Sequence, residues 1–168
     1  MIHEMQTERQ AYAEVLEHEI KKVLRMLRTF PADRFERLMP ECGASPRDLA
    51  RDFAVQVRRI HELISGRRSE DGARATHTRA GIMLELETVY LGAYLALDAM
   101  PPFRWSEVVP APARLAPWRQ ARRGELLWLA LRELARHARH FSLHVRDGGA
   151  RGRSAHDMAT LESMTVGA

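Results

Sequence analysis

Apolar residues recur at helical spacing in four long stretches of the chain, and proline or glycine separates the stretches. Within each stretch the apolar residues lie mostly three or four positions apart, which is the interval of one face of an α-helix. The predicted helices span residues 7–27, 46–65, 79–100 and 119–145. No stretch alternates polar and apolar residues over the length of a strand, so the pattern predicts an all-α protein.

Each predicted helix has a set of apolar residues that we expect to face a common core. In chain order these are Ala11, Val15, Ile20, Val23, Leu24 and Leu27; Leu49, Phe53, Val57, Ile60 and Ile64; Ile82, Met83, Leu86, Val89, Tyr90, Ala93 and Leu97; and Leu127, Ala130, Leu131, Leu134, Ala138, Phe141 and Val145. The second helix also has a clear start signal, because Ser45 can cap it, Pro46 fits its first turn and Asp48 completes a capping box.

The connections predict the arrangement of the helices. Residues 101–118 hold five prolines and the tryptophans Trp105 and Trp118, which indicates an extended crossover whose aromatic rings cover one end of the core. One long connection between helices three and four is typical of some four-helix bundles. We therefore predict a four-helix bundle over residues 1–146, and glycines after residue 147 predict a flexible C-terminal tail over 147–168.

Composition narrows the class of protein. The 168 residues suit one domain, and 45% hydrophobic with 29% charged residues is typical of a soluble protein. The net charge of +4 comes from arginines spread along the chain among acidic residues, which does not favour a nucleic-acid-binding surface. Cys42 is the single cysteine, and no run reaches the roughly 18 apolar residues of a membrane span. We expect a cytoplasmic protein without a membrane anchor.

Three of the eight histidines, His137, His140 and His144, follow one another closely in the fourth helix. At about 100° per residue, His137 borders the predicted core side, and His144 and then His140 lie progressively nearer to solvent. Residues seven apart are separated by about 10 Å along a helix, so all three cannot bind one ion. The usable pairs are His137 with His140, or His140 with His144.

A zinc-like site would need a third ligand from another helix, and Asp52 in helix two is the better candidate. Glu85 in helix three is a weaker one. Arginines 136 and 139 lie among the histidines and oppose the binding of a cation. The alternative interpretation is that the histidines are hydrogen-bonded residues at the border of the core.

The segments TFPADRFERLMPECGASPRDLARDF and RHARHFSLHVR, together with the order of the helices, resemble the DinB-like family of four-helix bundles over most of residues 5–146. That family includes thiol-dependent transferases and proteins described as metal-dependent hydrolases. Its metal triad has one histidine after the serine cap of helix two and two histidines four apart in helix four. On this chain those positions hold Asp52, His137 and Phe141.

The resemblance implies two functions that the residues leave open. In the first, Asp52 and His137, with His140 or His144, hold a zinc or nickel ion for a hydrolase or thiol transferase acting on a small molecule. In the second, the protein has lost the metal, since Phe141 cannot ligate, and works as a bundle that binds a small ligand or another protein. The second function also implies a homodimer that forms through an exposed apolar helix face.

Overall fold

Helices account for nearly all of the regular structure in the computed structural model of this protein. The structure describes the backbone of residues 2–40, 42–67, 78–111 and 120–165, and the side chains of residues 6–40, 42–67, 78–111 and 120–146. The elements are α1 Ile2–Thr29, a 3₁₀ turn Ala32–Arg34, α2 Pro46–Ser65, α3 Arg79–Asp98, α4 Pro102–Trp105, β1 Val108–Pro110, β2 Gln120–Arg122 and α5 Arg123–Thr165. The prediction of an all-α protein is confirmed.

The start of α2 follows the predicted capping box. The Ser45 hydroxyl accepts a hydrogen bond from the Asp48 backbone N–H at 3.2 Å, and the Asp48 carboxylate accepts one from the Ser45 N–H at 3.0 Å. Hydrogen bonds from Ser45 hold the pKa of Asp48 below its ordinary value. The helix ends at Gly66, whose φ of 71° is in the left-handed region that favours glycine.

The four long helices share one core. α1 and α2 each pack mainly against both α3 and α5, so α3 and α5 lie on opposite sides of the pair. The largest fully buried side chains in the described part of the chain are Tyr12, Phe53, Phe141, Leu16, Ile20, Leu27, Ile60, Ile82, Leu86, Leu126, Leu127 and Leu131. All the predicted inward residues of helices two and four are buried, which fixes the orientation of α2 and α5.

The prediction for α1 is wrong at its first two inward positions. Ala11 and Val15 are exposed, and Tyr12 and Leu16 are buried instead. Tyr12 and Leu16 are four apart and Leu16 is four before Ile20, so these three residues share one helix face. Ala11 and Val15 point about 100° away from that face.

The connection between α3 and α5 is more ordered than predicted. It contains the short helix α4 and an antiparallel pair of three-residue strands, β1 and β2, in which Val108 lies opposite Arg122. Three residues are too few to show an alternating pattern, so the sequence pattern did not reveal these two short strands. Trp105 is buried, whereas Trp118 lies outside the described residues.

An aromatic cluster joins α1, α4 and α5. The Glu8 carboxylate accepts hydrogen bonds from the indole N–H groups of Trp105 and Trp128 at 3.0 and 2.9 Å. The Tyr12 ring packs edge-on against both indoles, with centroid distances of 5.8 and 5.3 Å. A Cβ at Gly124 would lie 2.5 Å from the Trp105 Nε1, so the close approach of α4 and α5 requires glycine there.

The predicted end of the fourth helix near Val145 is wrong. The backbone of α5 continues through Gly148, Gly149 and Gly152 to Thr165. A glycine inside a helix costs about 1 kcal/mol relative to alanine, which disfavours a helix without forbidding one. The division at residue 146 and the flexibility of residues 147–168 stay predictions. The predicted loop over 67–78 lies mostly outside the described residues.

Candidate functional site

The three clustered histidines lie on α5, at or beyond the edge of the side that faces the core. That side is formed by buried residues, which include Leu134, Ala138, Phe141 and Val145. His137 and His144 are half-buried at its edge, and His140 is exposed. His140 is therefore the most exposed of the three, as helical geometry predicted.

Asp52 on α2 lies close enough to His137 on α5 to interact with it electrostatically. Burial lowers the pKa of His137 below its ordinary value, and the Asp52 carboxylate opposes that shift by stabilising the protonated ring. Because burial dominates, the imidazole is neutral near pH 7 and keeps a nitrogen lone pair. The two side chains therefore interact electrostatically across α2 and α5, and their joint role as metal ligands stays a prediction.

Phe141 occupies the position where the resemblance places the second histidine of helix four. Its side chain is 1% exposed and belongs to the core shared by the four long helices. A benzyl side chain has no donor atom, so this position contributes packing and no metal ligand.

His140 and His144 form a second pair, one helical turn apart. Their Nε2 atoms are 2.9 Å from each other, the ring centroids are 4.3 Å apart and the ring planes cross at 77°. A contact of this length is a hydrogen bond in which one ring donates its N–H to the lone pair of the other. The site therefore presents two imidazole nitrogens aimed at one small region of space.

The four predicted ligands therefore fall into two pairs, Asp52 with His137 and His140 with His144. Among the described residues, no group of three or more His, Cys, Asp or Glu side chains is placed to hold one metal ion. Catalytic zinc sites use three protein ligands and one open position. The residues present do not fit the three-ligand centre that the resemblance implies, and metal binding by Asp52 and His137 stays a prediction.

Glu85 and Cys42 were also considered from the sequence, and each has a contact outside the histidines of α5. Glu85 on α3 forms an ion pair with Arg58 on α2, and both side chains are about one-fifth exposed. Glu85 therefore faces α2 and lies away from the histidines of α5. Cys42 is a half-buried free thiol whose Sγ lies 3.8 Å from the carbonyl oxygen of Ala44.

Sequence reasoning missed an apolar surface on α3, here named the outer face. Leu84, Leu91 and Leu95 are 65%, 56% and 57% exposed, and Thr88 lies between them on the same side of the helix. Tyr94, which is 46% exposed, flanks this face. The signal was present in the sequence, because the spacing 84, 88, 91, 95 is a helical stripe opposite the buried one.

α3 is held to both neighbouring helices by ion pairs. Glu87 pairs with Arg28 of α1 at 2.8 Å, and Glu85 pairs with Arg58 of α2. Within the described part of the chain, α3 is the helix that is long and apolar enough to cross a membrane by length and composition. The rest of the protein buries 22% of its most apolar window.

An open cleft of about 430 Å³ lies beside the outer face, between the N-terminal half of α1 and the C-terminal half of α3. Arg9 and Gln10 line it from α1, and Tyr94 and Asp98 line it from α3. The Arg9 guanidinium also donates a hydrogen bond to the carbonyl oxygen of Met100. The cleft can therefore offer a cation, a carboxylate and an aromatic ring to a small molecule.

Comparison with protein-family models and with curated proteins does not identify the function of these features. No protein-family model matches the chain, and no curated protein matches it. Membership of the DinB-like family stays a prediction that rests on the resemblance of the quoted segments.

Proposed function

We propose that this protein is a four-helix bundle that works as a protein-binding module, and that its partner is a second copy of itself. The packing of α1 and α2 between α3 and α5, with the long connection from α3 to α5, supports the bundle. The single observation that carries the function is the outer face of α3, where three leucines more than half exposed lie in one stripe. Exposed apolar surface of this kind marks interaction sites in soluble proteins.

The spacing of the outer face suits a second copy in particular. The intervals from Leu84 through Thr88 and Leu91 to Leu95 are four, three and four residues, so the stripe reads the same in both chain directions. A two-fold axis between Thr88 and Leu91 would place Leu84 of one copy opposite Leu95 of the other. Two-fold symmetric interfaces need this kind of self-complementary surface.

The expected dimer is weak. A helix of 20 residues is about 30 Å long and about 10 Å wide, so the outer face alone buries about 300 Å² per copy. Stable interfaces bury roughly 1,200–2,000 Å² in total. The outer face alone falls below that range, so we expect a weak, concentration-dependent dimer.

The ion pairs of α3 favour a protein partner over a lipid bilayer. Insertion of α3 into a membrane would break its pairs with Arg28 and Arg58 and carry Glu85 and Glu87 into hydrocarbon, which costs several kcal/mol. Docking of a second copy on the outer face leaves both pairs in place. Flotation with anionic vesicles provides the check, and recovery of the protein with the vesicles would contradict the proposal.

Sedimentation equilibrium tests the dimer. Leu91→Glu places two like charges near the axis, and we expect the Kd to rise at least about 30-fold, equivalent to about 2 kcal/mol. The matched control is Leu143→Glu, because Leu143 is an equally exposed leucine on α5, on the opposite side of the protein. A parent protein that stays monomeric at millimolar concentration, or equal effects of both variants, would refute the proposal.

The cleft beside the outer face favours a second candidate, binding of a small aromatic carboxylate. The Arg9 guanidinium can pair with a carboxylate, and the Tyr94 ring can stack on an aromatic group. Ligand-observed NMR with benzoate as the probe tests this function. The expected result is a saturation-transfer signal that disappears in Tyr94→Ala, and an equal signal from both proteins would reject the cleft as the binding site.

A further inference from the structure

We propose that His140 and His144 form a two-nitrogen site for a divalent transition metal ion with right-angled coordination, copper(II) above all. Asp52 and His137 take no part in this site, which has two ligands and shares at most one histidine with the three-ligand centre that the family resemblance implies. The inference goes beyond the proposed function, because α5 and the outer face of α3 lie on opposite sides of the protein.

The distance between the two Nε2 atoms suits neighbouring, right-angled positions on one metal ion. Imidazole nitrogens lie about 2.0–2.1 Å from a bound ion, so two of them that are 2.9 Å apart subtend about 90° at the metal. Tetrahedral zinc would need them about 3.3 Å apart. Right-angled positions are those of square-planar and tetragonal copper(II) and nickel(II).

The orientation of the rings supports the same conclusion. Two imidazoles whose Nε2 lone pairs meet at a right angle on one ion have centroids about 4.5 Å apart, whereas rings aimed directly at each other would be more than about 5 Å apart. The centroids of His140 and His144 are 4.3 Å apart, and their planes cross at 77°. The two rings are therefore close to the spacing of a pair bound to one ion, which would replace the shared proton.

The surroundings of the pair select among metals. His140 is exposed, so the ion can keep water molecules in its remaining positions. Arg136 lies one turn before His140 but pairs with Glu133 at 2.6 Å, which neutralises part of the positive charge near the site. The absence of a carboxylate ligand in the described pair disfavours magnesium and calcium, which prefer oxygen, and leaves imidazole-binding transition metals.

Copper(II) alone is the probe for the test, added to full-length protein without a histidine tag. All proteins carry His3→Ala, so that the histidine at position 3 does not compete for copper. Calorimetric titration should give one ion per chain, and electron paramagnetic resonance should show coupling to two nitrogens. Removal of an outer-shell partner already weakens metal sites 10–100-fold, so His140→Ala or His144→Ala should raise the Kd at least about tenfold.

The matched control is His137→Ala, which removes a histidine from the same helix without touching the pair. Its copper Kd should stay within about twofold of the parent value. Circular dichroism of the His140→Ala protein checks that α5 persists, as expected for alanine at an exposed helix position. Unchanged binding in His140→Ala or His144→Ala would overturn the two-histidine site, and equal loss in His137→Ala would show that copper binding is not a property of this pair.

Discussion

The helices α2 and α3 have the same length and opposite outer surfaces. Both contain 20 residues, and each begins directly after a serine or threonine N-cap. Both pack against neighbouring helices through buried aliphatic side chains. The exposed side of α2 carries Asp52 and Arg59, while that of α3 carries three leucines. The difference shows that helix formation and burial do not by themselves require an apolar outer surface, so the surface of α3 calls for another explanation.

The largest expected effect lies on the inner side of α2. Phe53 is fully buried, and Phe53→Ala should lower the free energy of unfolding by about 3–5 kcal/mol because it removes packing and leaves a cavity. Urea denaturation followed by circular dichroism measures the change. A loss below about 1 kcal/mol would mean that α2 is not part of the cooperative core.

The contact between the two helices gives the next largest effect. Arg58 and Glu85 pair across α2 and α3 with little exposure, so a double-mutant cycle with Arg58→Met and Glu85→Gln should show a coupling of about 1–2 kcal/mol. The matched pair is Arg28 with Glu87, which is largely exposed and should couple by less than about 0.5 kcal/mol. Equal coupling energies in the two pairs would show that burial does not strengthen the ion pair.

Substitution of the N-caps of α2 and α3 should change the free energy of unfolding by a smaller amount, and the two losses should differ. Ser45→Ala removes the hydroxyl that bonds the Asp48 N–H and carboxylate, but it keeps the backbone N–H of residue 45, and it should cost about 1 kcal/mol. Thr78→Ala on α3 removes one side-chain hydrogen bond and should cost less. Because the folded-state pKa of Asp48 is lowered, the box stabilises the protein fully above about pH 4 and loses that contribution as the pH falls further.

Thermal unfolding from pH 7 down to pH 2 checks both parts of this prediction. The parent should lose stability more steeply below pH 4 than Ser45→Ala, since the variant has already lost the Ser45 hydroxyl bond, which is the largest cause of the lowered pKa of Asp48. Parallel pH profiles for the two proteins would contradict the assignment of this contribution to the capping box.

The smallest effect is expected on the outer face of α3. Leu91→Ala should change the unfolding free energy of the monomer by less than about 0.5 kcal/mol, because the side chain is more than half exposed. The same substitution should weaken the proposed dimer. Measurements at low micromolar and at high protein concentration separate the two, and a large loss at the low concentration would show that Leu91 packs within one copy.

The sequence predicted those features that depend on residues close together in the chain. The α2 cap and its buried stripe follow from Ser45, Asp48 and regular apolar spacing, and the half-buried position of His137 follows from its angle to Phe141. The register of α1 was mistaken because Ala11 and Val15 are also apolar, and only contact with α5 and α4 selects Tyr12. Local pattern cannot choose between two apolar stripes on one helix.

Features that depend on side-chain torsions or distant contacts could not be predicted in the same way. The spacing of His140 and His144 allowed a pair, but the 2.9 Å contact depends on the rotamers of both rings. The strands β1 and β2 pair residues that lie 10 to 14 positions apart, beyond the reach of a helical or strand period, and Arg123 pairs with Glu107 at 2.8 Å. Neither contact leaves a periodic trace in the sequence.

The shared carboxylate of Glu8 gives the protein an optical reporter of its own folding. Two of the three tryptophans donate to this one side chain, and both rings touch Tyr12. Separation of the first turns of α1 from α5 would expose both indoles to water at once. Tryptophan emission therefore follows the docking of the N-terminal helix, and Glu8→Gln tunes that signal without adding a label.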